Sequence, residues 1–278
     1  MSRKAVAREE EKNYTKRKVK AFQEKIFQWW EINRRILPWR TTTDPYQIMV
    51  SEVMLQQTQV SRVIIKFEEF IKAFPTLQSL ANAKKSDLLR VWSGLGYNRR
   101  ALWLQEAAQE IVKKGSIPSE IEELEALKGI GPYTARAILI FAFNKDLATV
   151  DTNIRRILIS EGFATEETPE SNLFLLAEKL LPKGRSRDWH NALMDYGARV
   201  LSAAKTKIRP LTRQTTYNKS QRYFRGQILK YLVKHSKATI QQLQEKTALP
   251  EKDLHMLMEK LAKDGLIIKR KNHYALPD

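Results

Sequence analysis

The sequence has no cysteine. That absence excludes disulfides, thiolate-bound metals and a cysteine nucleophile. The four histidines are scattered without metal-ligand spacing, so no metal site is expected. No apolar run approaches the ~18 residues of a membrane span. The opening MSRKAVAREEEKNYTKRKVK lacks the apolar core of a secretory signal, so the expectation is a cytoplasmic chain without membrane attachment. Acids are missing over one long stretch: the 49 residues between Asp195 and Glu245 hold eleven Lys and Arg and no Asp or Glu. What the chain has in excess is positive charge. A net +18, from 49 Lys and Arg against 31 Asp and Glu, points to a polyanionic partner, nucleic acid before an anionic membrane. With 42% hydrophobic residues over 278 positions, there is enough for one large core or two smaller ones.

Strand-like alternation is also scarce. From about Ala21 to Ala204 apolar residues recur every three or four positions, as in SDLLRVWSGL, ALWLQEAAQEIVKK and SNLFLLAEKLL, which predicts a region made almost wholly of helices. DP at 44–45, FPT at 74–76, GSIPSE at 115–120 and TPES at 168–171 supply turns and helix starts. Residues 1–20, with eight Lys and Arg and three Glu, read as a mobile basic tail or as the exposed first turns of a helix. The acid-free stretch reads as a basic connector. Beyond it, RYFRGQILKYLVKHS, TIQQLQEKTA and EKDLHMLMEKLAKDG predict three helices, and LIIKRKNHYAL a short hairpin. That is the order of a winged-helix module, with PEKDLHMLMEKLAKDG as its recognition helix; a protein-interaction domain is the alternative. The expected division is a tail at 1–20, a helical core at 21–211 and a winged-helix domain at 212–278.

Three places carry candidate chemistry. In LKGIGPYTARAI, glycines at 129 and 131 permit positive φ, and the helix opened by Pro132 offers backbone N–H groups that suit a phosphate. A lone GIG is equally a helix C-cap followed by a turn, but the flanking amphipathic segments make EELEALKGIGPYTARAILIFAF a helix-hairpin-helix, a motif that grips a DNA strand without reading bases. Glu52 lies in YQIMVSEVMLQQTQV with apolar residues on both sides, so it is either a solvated helix residue or a desolvated acid with a raised pKa. Asp151, in ATVDTNIRRIL, reads first as a helix N-cap, a role compatible with facing a developing positive charge.

LPWR, PYQIMVSEVMLQQTQV, VWSGLGYNRRA, LKGIGPYTARAI, VDTNIRR and HNALMDYGAR, in this order, resemble the helix-hairpin-helix DNA glycosylases of the endonuclease III superfamily, most closely the MutY-type adenine glycosylases. The resemblance covers roughly residues 25–200. It implies an all-α, two-lobed fold with the site in the cleft, one lobe formed by 21–43 and 149–211 around 44–148, and with the winged-helix domain added after it. It also implies a monomer that acts on double-stranded DNA holding a mismatched or damaged base, flips the base and cleaves its N-glycosidic bond; residence in the cytoplasm, at the nucleoid, is expected only from the missing targeting signals. By match to the motifs, Glu52 would protonate the departing purine and help activate water, and Asp151 would stabilise the sugar cation. Tyr133 stands where bifunctional relatives carry a Schiff-base lysine, and a phenol forms no imine, so the resemblance implies a monofunctional enzyme. Trp39, Arg40, Asp195 and Asn153 match base-pocket positions. Gln57 and Tyr97 match residues inserted into the duplex. Gly129, Ile130, Gly131 and Thr134 match the hairpin that holds DNA.

The chain departs from this pattern in three ways. Most relatives bind an iron–sulfur cluster through four cysteines after the ALMDYGA segment; counting the same spacing from Leu201 lands on Leu201, Ile208, Leu211 and Tyr217, so an apolar cluster is expected to replace the metal and no cofactor is expected. The basic residues Lys205, Lys207, Arg209 and Arg213 around them are expected to keep contact with DNA. The 65 or so C-terminal residues are too few for the Nudix-like domain that helps MutY-type enzymes read 8-oxoguanine. Asn98 and Tyr133 also occur in thymine mismatch glycosylases. The leading expectation is removal of adenine opposite guanine or 8-oxoguanine; the alternatives are a thymine or uracil mismatch glycosylase and a non-catalytic DNA-binding protein.

Overall fold

A computed structural model describes the backbone of residues 3–209 and 217–278, with side chains from Thr15 onward. Its helices are α1 (Arg3–Asn33), α2 (Pro45–Leu55), α3 (Val60–Ala73), α4 (Leu77–Ala81), α5 (Lys85–Trp92), α6 (Arg99–Lys114), α7 (Ile121–Glu125) and α8 (Pro132–Phe143). They continue with α9 (Thr152–Ser160), α10 (Glu170–Lys179), α11 (Ser186–Arg199), α12 (Ala203–Thr206), α13 (Gln221–His235), α14 (Ile240–Thr247) and α15 (Glu251–Lys263). Strands β1 (Lys237–Ala238), β2 (Ile268–Arg270) and β3 (His273–Ala275) lie near the C-terminus, and no strand precedes Lys237 among the described residues. The chain divides into two compact units, 1–36 with 136–213 and 37–135 with 214–278. The divide falls within α8, at 135/136, where the sequence places it at 148/149.

In the first unit α1 runs from Arg3, so the basic opening segment continues a helix whose described side chains meet the core from Val19 on. Phe22, Ile26, Ile154, Ile157, Trp189 and Leu193 form the centre of that core, with Phe22 and Trp189 edge to face at 5.5 Å. His190 ties α11 to the strand-like segment before α9: its Nδ1–H donates to the Ser186 carbonyl (2.7 Å), and Nε2 accepts from the Thr149 N–H (3.2 Å). Both bonds require the neutral ring, and burial pushes its pKa down to about 4.

In the second unit α2 is buried from Tyr46 to Met54 apart from Gln47, which is why its sequence is apolar on nearly every side. Asp44 caps it by accepting from the Tyr46 N–H at 2.9 Å, and Pro45 supplies the first helical φ. The C-terminal module belongs to this unit. It holds α13, α14, α15 and a three-stranded antiparallel sheet in the order β1-β3-β2, with Lys269 opposite Tyr274 and Ala238 opposite the same residue. The acid-free stretch is therefore not only a connector: it contains α12, all of α13 and β1. Salt bridges from Arg99 (3.1 Å) and Arg225 (2.6 Å) to Asp264 join α6, α13 and the end of α15.

Arg100 has a single guanidinium for three segments. It donates to the carbonyls of Val53 (2.7 Å), Met54 (3.0 Å) and Gln56 (2.6 Å) at the end of α2, to Thr58 Oγ1 (3.0 Å), and to Gly96 (3.1 Å) in the GLGY loop. Burial lowers its pKa to about 10, which still leaves it charged at neutral pH. Replacing it with methionine keeps the volume and strands several buried carbonyls. The expected loss is at least ~3 kcal/mol in urea unfolding; a loss below ~1 kcal/mol would contradict this role.

Candidate active site

The two carboxylates belong to different units, and each has its own surroundings. Glu52 sits on α2 and is 7% exposed, a buried carboxyl on an otherwise apolar helix. Four residues on, Gln56 donates to the Gly129 carbonyl (3.2 Å) and to Thr134 Oγ1 (3.1 Å), which fastens the end of α2 to the hairpin formed by α7 and α8. Thr134 and Ile130 are buried, so they hold the hairpin together from inside. Only one of the two hairpin glycines has positive φ. Gly129, at +79°, could carry a Cβ only 3.0 Å from that of Trp103, whereas Gly131 has no such φ and has open space where a Cβ would go. Gly129 thus makes the turn, and Gly131 leaves the backbone accessible at the entry to α8. Tyr133 follows in the first turn, half-buried.

Gln57 and Tyr97, matched to the inserted residues, share a backbone feature: both have positive φ, at 54° and 46°, without being glycine. Gln57 is exposed and Tyr97 is 38% exposed. Non-glycine residues are held in this region only where the surroundings over-determine them. Here Arg100 supplies the restraint, bonding Gln56 and Thr58 on either side of Gln57 and the Gly96 carbonyl just before Tyr97.

Asp151 caps α9. Its Oδ1 accepts from the Ile154 N–H at 2.7 Å and its Oδ2 from Asn153 Nδ2 at 2.7 Å. Asn153 is oriented in turn by Arg156, whose Nη2 donates to its Oδ1 at 2.5 Å. Burial raises the Asp151 pKa; the bonds from Ile154 and Asn153 and the Arg156 charge act in the opposite direction without cancelling it. Gly197 on α11 permits this arrangement, since a Cβ there would lie 2.7 Å from the Asn153 Cβ.

Other matched positions have packing roles. Trp39 is buried, edge to face with Phe67 at 5.7 Å, and Arg40 beside it is half-buried. Asp195 is fully buried; it accepts from Trp30 Nε1 (3.0 Å) and the Arg35 N–H (2.9 Å) and pairs with the Arg35 guanidinium. It therefore supports the segment after α1 and has no surface to offer a base.

The sequence has no thiolate for an iron–sulfur cluster, so the residues present do not fit that group. Among the described residues, the positions expected to form an apolar replacement divide between the two units. Leu201 packs on the core of the first unit, but Tyr217 belongs to the second, is 58% exposed and lies edge-on to Tyr223; Leu211 is outside the described residues. Arginines hold the segment after α11 instead. Arg156 Nε donates to the Leu201 carbonyl (3.0 Å), Arg155 to those of Arg209 (2.9 Å) and Glu166 (3.0 Å), and Glu166 accepts from the Arg209 N–H (3.0 Å). Lys205, Lys207 and Arg209 are exposed on this segment, and Arg213 lies outside the described residues.

A family model described as the HhH-GPD superfamily base excision DNA repair protein matches residues 50–183. A solved structure of a thermostable thymine-DNA glycosylase is 31% identical, with a TM-score of 0.63, and is matched over 69% of this chain and 91% of its own. The chain belongs to the HhH-GPD superfamily. Among curated relatives of this superfamily member, the adenine DNA glycosylase of Mycolicibacterium smegmatis is 39% identical over 183 residues, 64% of this chain and 62% of the relative. The adenine DNA glycosylase of Homo sapiens is 37% identical over 212 residues, 70% of this chain and 38% of the relative. The chain thus spans about three fifths of the bacterial relative and less of the human one. The superfamily member's motifs contain Arg100, Arg156 and Gly197, none of which the sequence marks as functional.

Two outcomes follow for the first unit. Because burial makes the folded state favour protonated Asp151, ionisation costs stability increasingly as pH rises from the ordinary carboxylate range through the raised pKa. Asp151→Asn keeps a capping oxygen and removes that charge. Thermal melts should show the variant more stable than the parent at pH 7, with the difference shrinking toward pH 4; a less stable variant at pH 7 would contradict the assignment. Gly197→Ala should lower stability by ~1–3 kcal/mol in urea unfolding by forcing α9 from α11, whereas an unchanged midpoint would show that Asn153 is not closely held.

Proposed function

We propose that the chain is a DNA glycosylase that removes adenine mispaired with guanine or 8-oxoguanine, without strand cleavage, and that it acts as a monomer without an iron–sulfur cluster. The observation that carries this reading is the buried Glu52 carboxyl on α2. A purine leaves poorly as an anion, and a protonated acid out of water is what its departure needs. The bond between C1′ and the purine breaks with its electron pair going to the base, and the Glu52 proton neutralises the ring. The carboxylate form of Asp151, held by Asn153 and the start of α9, stabilises the sugar cation. Water then adds to C1′ and gives a proton to the Glu52 carboxylate, which restores both groups. Tyr133 has no amine for a Schiff base, so the abasic site is left intact. Identity with curated adenine DNA glycosylases supports the choice of base.

The second reading is a thymine mismatch glycosylase. It is favoured by Tyr133 and Asn98 and by the 31% identity to the thymine-DNA glycosylase structure.

Single-turnover assays on duplexes with A opposite 8-oxoguanine, A opposite G, T opposite G and U opposite G, each with and without alkali, separate the readings. The expected result is cleavage only after alkali and only on the adenine duplexes, reduced at least ~10³-fold by Glu52→Gln and by Asp151→Asn. Product from T or U opposite G alone would replace this reading with the second.

A further inference from the structure

We propose that the second unit holds a further DNA-binding site, a groove between the Gln57 turn, the Tyr97 loop and α13, which takes the sugar–phosphate backbone of one DNA strand. On this assignment α13, and not α15, is the DNA-facing helix of the winged-helix module. The proposal rests on the reading of the chain as a DNA-acting protein.

The groove encloses about 1220 Å³, more than the ~300–1,000 Å³ of small-molecule pockets. Arg62, Arg99, Arg222, Arg225 and Lys230 line it against a single acid, Asp264, which is itself bonded to Arg99 and Arg225. Such an excess of cations suits a polyanion longer than one phosphate. Tyr97, Trp103 and Tyr217 add aromatic surface among them, the combination by which proteins follow a nucleic-acid strand through its phosphates and base faces. The groove also opens beside the two positive-φ residues matched to duplex insertion. Arg222 bonds the Tyr97 hydroxyl and lies over its ring at 5.6 Å, so α13 and the insertion loop present one surface.

The charge pattern along the module separates the two helices. α13 carries Arg222, Arg225, Lys230 and Lys234 and no acid. α15 has Glu251 and Asp253 in its first turn, where a recognition helix meets the DNA; those acids suit the helix dipole and repel phosphate.

The test uses the full chain and a labelled duplex carrying a tetrahydrofuran abasic analogue opposite guanine, which has no base to excise. Fluorescence anisotropy gives Kd as a function of salt for the parent, Arg222→Ala, Lys230→Glu and, on α15, Lys252→Glu, with melting curves to confirm that each variant is folded. Arg222→Ala and Lys230→Glu should each weaken binding about five- to tenfold at roughly 0.1 M salt and reduce the salt slope by about one, while Lys252→Glu stays within about twofold of the parent. Unchanged affinity for both folded groove variants would overturn the proposal, and so would a loss for Lys252→Glu equal to that for Lys230→Glu. Because the probe contains no excisable base, failure of every mismatch duplex to yield product would overturn the glycosylase reading alone.

Discussion

The second unit depends on one buried cation. Arg100 has five N–H donors in a rigid fork, and the structure spends them on the end of α2, the Gln57 turn and the GLGY loop. Lysine could not do this, because its compact ammonium cannot span acceptors on three segments. The bonds fix the axial position of α2, and so of Glu52, relative to two turns whose exposed residues adopt positive φ. Gln56 extends the same scaffold to the hairpin through Gly129 and Thr134. Hydrogen bonds thereby tie the buried acid's helix to the two positive-φ turns and to the turn of the hairpin.

The first unit solves a different problem, the holding of an anion where burial disfavours it. Capping supplies most of the answer, since the α9 N–H groups would otherwise lack partners and a carboxylate satisfies them. Asn153 and Arg156 complete the set, and the absence of a side chain at Gly197 lets α11 close against them. Arg155 and Arg156 also fasten the segment after α11 through its carbonyl groups. Charge-assisted bonds to the backbone thus do the fastening in a segment whose sequence has no cysteine. The Arg156 guanidinium links this segment to Asp151 through Asn153.

Much of this was legible in the sequence because it is local. Helical periodicity, the glycine hairpin and the Asp151 cap each depend on residues within a few positions of one another. The apolar neighbours of Glu52 left its burial as one of two readings, the other being a solvated helix residue, because the encircling partners are distant in sequence. The two-residue β1 is too short to show alternation. Arg100 gave no signal, since a charged residue in a helix looks solvated unless its distant partners are known. Gly197 is an ordinary mid-helix glycine until α9 is packed on it. Trp39 and Asp195, matched to a base pocket, also make contacts within their own units that the sequence does not disclose: Trp39 packs on Phe67, and Asp195 accepts from Trp30.

The proposed reaction needs the Asp151 carboxylate, and the most direct measurement is the pH dependence of the single-turnover excision rate at saturating protein. The rate should rise as Asp151 loses its proton, at a pH above the ordinary carboxylate range because burial raises that pKa. A rate that is flat from pH 4 to 8 (on the order of a twofold variation or less) would contradict the account.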